Sequence, residues 1–431
     1  AQQRQIAHRQ FETLVQSATQ KIAFTASLVQ EDAPERLWNP SELFTRHYQE
    51  ANNSPLTQKA MNQLQALTRS WLDKTRDPKR SDLIATPEIR STRIAYDARR
   101  DPNVPSREYD FAFRSKPPVI PTLSVSDFVQ LIATPGLVWL KKYLGVKAAD
   151  EGENVWNSST GKWVHDWLAA IANGTAKTFT RLPDSTEMGR RVCAAAETKR
   201  SDVAHLCQAA GKSLPDWWGG GWRNALFLAR ALAEKLGTVT DWPWMTTEWT
   251  IEDLAVKVAK NATLSLRGRI DLLLAHKAPS PASLAAEDLW IIDYKTGAKK
   301  ALATAKQDAD GRRPALKKKL LDGSALQLGL YTLAVSALGA QRTEVSLLSP
   351  LVSRLEPQIS GDEFSSEADI FAELARMQQT GIFGMHGPLR SAYRFTDDYP
   401  LATVAIDSDI LEQRWELTHP ALVRDEEDLF W

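Results

Sequence analysis

The sequence predicts an α/β protein in which a central mixed β-sheet is flanked by helices, preceded by a helical N-terminal region. Three observations lead there. Helical spacing of apolar residues recurs through the segments before Trp244. From Trp244 the texture changes: Trp249, Ile251, Leu254, Val256 and Val258 are β-formers in near-alternation, followed by apolar runs at Leu264–Leu274 and Leu289–Tyr294. Helical spacing then returns at Ser324–Leu338, and a short apolar strand follows at Val345–Leu348. Helices, a set of strands, then a helix and another strand suggest an α/β or α+β core, of which we take the first.

Element by element, Ile6, Phe11, Leu14 and Val15 recur at near-helical spacing, and Lys21–Leu28 reads as a short strand. Five prolines (102, 105, 117, 118 and 121) crowd the stretch from Asp101 to Pro121. Each fixes φ and removes a backbone donor, so the stretch forms no regular element. A domain boundary is expected there, separating a mostly helical region, 1–115, from a second domain, 116–431. Ser124 or Ser126 then caps a helix through Leu131, and Leu137–Leu144 forms another after Pro135. Helices are also expected at Gly161–Ala172, Met188–Ala210, Trp222–Leu236 and Asp369–Gln379. Trp217, Trp218 and Trp222 could stack on bases, but such clusters more often pack a core.

Composition narrows the function classes. The 431 residues are 43% hydrophobic and 25% charged, ordinary for a globular chain and against global disorder. Lys plus Arg and Asp plus Glu both number 53, so any nucleic-acid surface must come from local clustering. Cys193 and Cys207 are the only cysteines, too few for a disulfide scaffold, a four-cysteine zinc site or a cluster bound by four thiolates. The longest apolar stretch, Ala325–Ala340, contains Gln327 and is short of the roughly 18 residues a bilayer span needs, so no membrane partner is expected. The N-terminus is polar without an apolar signal core, and a cytoplasmic, reduced setting is the default.

The chemistry concentrates between Gly268 and Tyr331, in GRIDLLL (268–274), IIDYKTG (291–297) and QLGLY (327–331). Asp271 lies in an apolar strand, where an unpaired carboxylate is expensive to bury. Asp293 ends a second apolar strand, and Lys295, two residues on, shares its face. If the strands are neighbours, two carboxylates and an amine converge. Oxygen ligands of that kind suit Mg²⁺ or Mn²⁺. Taken singly, each has an ordinary reading as a turn residue or surface ion pair; the pair of motifs together favours a site. Glu248 reads either as an acid beside that site or as a plain strand-surface residue, of which the second is preferred.

These three motifs, in this order, resemble the PD-(D/E)XK nuclease domain of the RecB/AddB type, with its G-x-x-D, D-Y-K-T-G and Q-x-x-x-Y pattern, over roughly residues 122–350. The resemblance implies a restriction-endonuclease-like core and metal-dependent hydrolysis of DNA. It makes Asp271 and Asp293 metal ligands, the backbone carbonyl of Tyr294 a further one, and Lys295 the catalytic lysine. GKWVHDWLA (161–169) is similar to the family's Gly-x-x-x-His segment, which makes His165 a metal ligand; alone it would read as a packed histidine. Gln327 and Tyr331, one helical turn apart, lie beside the active site in that family, contacting or supporting DNA. Many relatives carry an iron–sulfur cluster whose first cysteine precedes a proline; here that position is Thr134 before Pro135. No iron–sulfur cluster is expected.

Between Lys295 and Lys319, nine Lys or Arg stand against two Asp. Lys299, Lys300, Arg312, Arg313, Lys317, Lys318 and Lys319 are therefore expected to meet nucleic-acid phosphates from a basic loop. Residues 4–27 resemble, more faintly, the last conserved helix and strand of a UvrD-type helicase domain, but Ser17 stands where the pattern has arginine, and no Walker A motif is present. That implies an inactive helicase-like remnant and a helicase subunit or domain as partner. The rival expectation is an inert, nuclease-like DNA-binding or scaffolding subunit.

Overall fold

The computed structural model describes residues 42–57, 59–60, 98–107, 110–113, 115, 117–146, 160–172, 177–209, 211, 213–214, 216, 218–279, 284–285, 287–296, 309–350, 352, 354–387 and 408–423. The chain divides into two compact units, residues 1–94 and 95–431. In the first, helix α1 spans Glu42–Asn52. The helix expected from Ile6 to Val15, the strand Lys21–Leu28 and the whole of the 4–27 resemblance lie outside the described residues.

The second unit is the mixed α/β structure that the sequence predicts. A two-residue strand, β1 (Leu123–Ser124), leads into α2 (Val125–Ala133). Ser124 is the cap: its Oγ accepts the Asp127 N–H at 3.0 Å, and the Asp127 carboxylate accepts the Ser124 N–H at 2.8 Å. Such reciprocal capping satisfies two otherwise orphaned donors. Asp127 also holds Lys141 at 3.0 Å and Lys142 at 2.5 Å, both on the next helix, α3 (Pro135–Tyr143). Pro135 stands in the first turn of α3, where its missing N–H costs nothing. Then come α4 (Thr160–Ala169), β2 (Thr180–Arg181), α5 (Ser185–Ala209) and α6 (Trp218–Leu236).

The long hairpin β3 (Trp244–Ala259) and β4 (Ala262–Ala275) follows, then β5 (Asp288–Tyr294), α7 (Ala309–Leu321), α8 (Leu326–Ala337), β6 (Arg342–Leu348) and β7 (Ile359–Ser360). A 3₁₀ segment, Gly361–Glu367, runs into α9 (Ala368–Thr380), and α10 (Ser408–Thr418) is followed by a 3₁₀ turn, Pro420–Leu422. The segment expected to be an irregular basic loop is in part a helix: Arg312, Arg313 and Lys317–Lys319 all lie on α7, which carries Pro314 inside it. Its apolar residues, Leu316, Leu320 and Leu321, are too few among the charges to signal a helix.

Among the described residues the sheet has seven strands, in the order β2-β3-β4-β5-β6-β7 with β1 beside β4. The β1–β4 and β5–β6 pairs are parallel and the rest antiparallel. Two apolar cores cover its faces. Phe128 and Leu131 of α2, Leu330 and Val335 of α8 and Phe371 and Leu374 of α9 bury one face with Leu266, Ile270 and Val345. Trp163 and Trp167 of α4, Val192 of α5 and Trp218 and Leu232 of α6 bury the other with Leu274, Trp290 and Ile292. Each such side chain contributes about 1.5–3 kcal/mol by leaving water. Trp218 is thus a core residue, its ring 5.5 Å from that of Trp163, and Trp222 packs 6.3 Å from Trp167; Trp217 lies outside the described residues. Among the described residues no helix is long and apolar enough to cross a membrane.

Candidate active site

β4 has two neighbours on one side, and the gap between them makes the site. Its early residues pair with β1, up to Ser124 with Arg267, and its late residues pair with β5, from Leu272 with Ile292. Residues 268–271, the GRID sequence, fall between the two ladders. Backbone groups left in such a gap need other partners. Side chains supply them. The Tyr331 hydroxyl donates to the Arg269 carbonyl at 2.6 Å, and Gln327 Nε2 donates to that hydroxyl at 3.2 Å. At the other rim the Tyr294 N–H donates to Asp271 Oδ2 at 2.9 Å. Gly268 lets this close approach happen: a Cβ there would stand 2.9 Å from Val125 Cγ2 and 3.0 Å from Tyr331 Cε1.

The hairpin partner is irregular at the same level. Met245 pairs with Leu274 and packs into the second core, whereas Trp249 pairs with Ile270 and packs into the first. Four residues apart, they would share a face of a regular strand. Between them Glu248 has φ +55°, a sparsely populated conformation for a residue with a side chain, and the flanking register brings it level with Asp271. Glu248 is therefore not the plain strand-surface residue that the sequence suggests. It is half-buried and ion-paired with Arg269, and burial raises its pKa, opposed by Arg269 and reinforced by Asp271. Alternation alone could not reveal this, because the face switch at Glu248 breaks the alternation.

Asp293 and Lys295 come from the end of β5, whose parallel pairing with β6 continues to Tyr294 opposite Leu348 and then to a Lys295 N–H bond to the Leu348 carbonyl, 2.9 Å. Asp293 is 2% exposed. Lys295 Nζ lies 2.6 Å from Asp293 Oδ2, an ionic contact, yet among the described residues neither Asp293 oxygen has a well-aligned hydrogen bond. Burial pushes the Asp293 carboxyl up to about 6, with Lys295 pulling it down and Asp271 pushing it further up. His165 arrives from α4, whose C-terminal end is tied to β3 by the Thr247 hydroxyl on the Ala169 carbonyl, 2.9 Å. His165 Nδ1 is 3.3 Å from Asp271 Oδ2, and its ring meets the Tyr294 ring edge-on at 5.6 Å. Burial lowers the His165 pKa, but Asp271, with help from Asp293, overcomes that and raises it above the ordinary histidine value. The Tyr294 phenol is fully buried on the second core, which leaves only its backbone for the site.

The fold therefore brings together His165, Asp271, Asp293, Tyr294 and Lys295, with Gln327 and Tyr331 bracing the β4 backbone beside them. The basic residues behave differently. Arg312 donates to Glu363 at 3.1 Å and to the Gln358 carbonyl at 3.2 Å. Arg313 donates to Glu367 at 2.8 Å and to the Ser366 carbonyl at 3.0 Å. Both latch α7 to the 3₁₀ segment. Lys317 and Lys318 are half-buried on the same helix, and burial lowers the pKa of Lys319. Lys299 and Lys300 lie outside the described residues.

Two carboxylates on adjacent strands, with a lysine just beyond the end of one of them, on a mixed sheet flanked by helices, define the class: a core of the restriction-endonuclease type. Residues 122–394, well over half of the chain, match the PD-(D/E)XK nuclease superfamily, and the chain belongs to that superfamily. No curated protein matches the chain.

Proposed function

We propose that the protein is a metal-dependent DNA nuclease of the cluster-free RecB/AddB type, hydrolysing phosphodiester bonds in a helicase–nuclease system for DNA end processing, repair or recombination. The observation that carries this is the buried Asp271–Asp293 pair with Lys295 two residues on and His165 against Asp271. The Asp293 oxygens, buried and without a well-aligned hydrogen bond among the described residues, fit a divalent cation alongside the charge of Lys295. Asp271, Asp293, His165 and the Tyr294 carbonyl would hold Mg²⁺ or Mn²⁺. Bound there, the ion supplies charge stabilisation at the phosphate and a more acidic water.

The chain's own residues do the rest. Lys295, tethered to Asp293, orients the attacking water or neutralises the charge that builds on the phosphate oxygens. The Tyr294 N–H fixes the rotamer of Asp271, and His165 closes the site from α4. Gln327 and Tyr331 keep the GRID backbone open toward the substrate. Lys299, Lys300, Arg312, Arg313, Lys317, Lys318 and Lys319 form the nucleic-acid surface, Arg312 and Arg313 by exchanging Glu363 and Glu367 for phosphates. Residues 116–431 are the nuclease domain in this reading, and residues 1–115 a helicase-like remnant that points to a helicase subunit or domain as partner in the cytoplasm. Thr134 in the cluster cysteine's place, with two cysteines in the chain, supports the cluster-free branch.

The second reading, an inert DNA-binding subunit, draws on one observation: among the described residues no three His, Cys, Asp or Glu side chains are already gathered as a metal cluster. A nuclease assay on linear and circular DNA, with and without Mg²⁺, separates the two. Mg²⁺-dependent degradation supports the enzyme; binding without cleavage supports the inert subunit.

A further inference from the structure

Near its end α6 carries a lysine that reaches away from its own helix. Lys235 lies in the last turn, where an ordinary lysine keeps its ammonium in water or on the helix's final carbonyls. Its Nζ instead donates to the carbonyls of Ser349, at 3.1 Å, and Pro350, at 2.7 Å, just beyond the end of β6. Burial lowers the Lys235 pKa, and these carbonyl oxygens are the partners its ammonium has among the described residues. Partial desolvation of an ammonium is a cost, which the two bonds offset only while that turn stays in place. Resting on the nuclease reading, we propose that Lys235 is a positioning residue for Lys295: it fixes the end of β6, and through it the backbone from which the Lys295 side chain reaches Asp293.

The restraints run in sequence. Lys295 stands just past β5, and its N–H continues the β5–β6 ladder by donating to the Leu348 carbonyl at 2.9 Å. Leu348 is the final residue of β6, and the next two are the ones that Lys235 holds. Pro350 has no N–H with which to extend the ladder. Ser349 is fully buried, and its carbonyl also accepts the Val352 N–H at 3.1 Å, so the chain turns there. One step back along the strand another side chain takes the same part. Gln358 Nε2 donates to the Leu347 carbonyl at 3.1 Å, and its Oε1 accepts the Leu347 N–H at 3.2 Å, opposite Asp293. Gln358 therefore steadies β6 level with Asp293, and Lys235 steadies it beyond Lys295. Without the ammonium, the Lys295 N–H would rest on a strand end that can shift while Asp293 stays in place.

The test is amide hydrogen exchange of the full chain in EDTA, read by mass spectrometry at residue resolution. Lys235→Met, which keeps the apolar stem, should speed exchange of the Lys295 amide about tenfold, the share of one hydrogen bond, and leave the β5 amides before Asp293 at their wild-type rates. Lys235→Arg, which keeps donors for both carbonyls, should restore the wild-type rate. With Mg²⁺ and DNA, Lys235→Met should lower kcat about tenfold at an unchanged KM, since Lys235 acts through Lys295 and not on the DNA. An unchanged rate at the Lys295 amide, an equal speeding along all of β5, a loss that Lys235→Arg does not restore, or a wild-type kcat in Lys235→Met would each overturn the assignment. A wild type that cleaves nothing would sink the nuclease reading alone, and the exchange rates would still decide whether Lys235 sets the place of Lys295.

Discussion

The backbone N–H of Tyr294 donates to Asp271 Oδ2 at 2.9 Å, joining the two acid-bearing strands where their own ladder stops. Asp271 is thereby held from β5 and His165 from Asp271, while Asp293, one residue before Tyr294, is left with a buried carboxylate and Lys295 as its counter-charge. In the proposed function this site takes a divalent cation, and the stability of the metal-free protein tests that reading.

Asp293→Asn should abolish cleavage and yet stabilise the metal-free protein. A carboxyl raised from 3.8 to about 6 by burial contributes stability that is fully present below pH ~4 and is lost as pH rises through ~6. The wild type should lose on the order of 3 kcal/mol over that window and the variant should not. Mg²⁺ should raise the melting temperature of the wild type alone. Parallel stability–pH curves with and without Asp293 would contradict this.

Lys295→Ala should remove activity while the far-ultraviolet circular dichroism spectrum stays native, because Lys295 is a half-buried residue just beyond the end of β5 and belongs to neither apolar core. Arginine should not restore turnover, since its planar fork cannot reproduce a compact ammonium beside Asp293. Wild-type-like turnover in either variant would remove the lysine from the mechanism.

Much of this is legible in the sequence, for reasons that particular residues make plain. Near-alternation exposes β3, apolar runs expose β4 and β5, and the serines at 124 and 126 mark the start of α2, of which Ser124 is the cap. The motif residues are legible because chemistry fixes their types: a glycine where Val125 and Tyr331 leave no room for a Cβ, and acids inside apolar strands. Glu248 is not, because its positive φ reverses the faces that alternation would assign. Nor is α7, whose charged residues find partners such as Glu363 and Glu367 some fifty residues away in the chain.

Gly268→Ala should cost about 1–3 kcal/mol, the usual range for a side chain forced into a filled space. The new methyl must push Val125 or the Tyr331 ring, and displacing Tyr331 takes its hydroxyl off the Arg269 carbonyl. Denaturant melts of the purified variant check the cost, and a stability within ~0.5 kcal/mol of wild type would show that the packing there is loose.

Arg313→Ala and the pair Lys317→Glu with Lys318→Glu should separate packing from binding on α7. Arg313 bonds the buried Glu367, so its loss should lower the melting temperature. The lysine pair should instead weaken DNA binding similarly across sequences and lower the salt slope by one to two units, about one for each phosphate no longer neutralised. An unchanged slope in the lysine pair would take α7 out of the nucleic-acid surface.

The central claim is that His165, Asp271, Asp293 and Lys295 form a working nuclease site, and product release from end-labelled linear DNA tests it most directly. The full chain, stripped of metal and then given Mg²⁺, should release short products only after the addition, and Asp271→Asn and His165→Ala should each reduce the rate by at least about a hundredfold. Cleavage that persists in EDTA, or in the Asp271→Asn variant with Mg²⁺, would contradict the account.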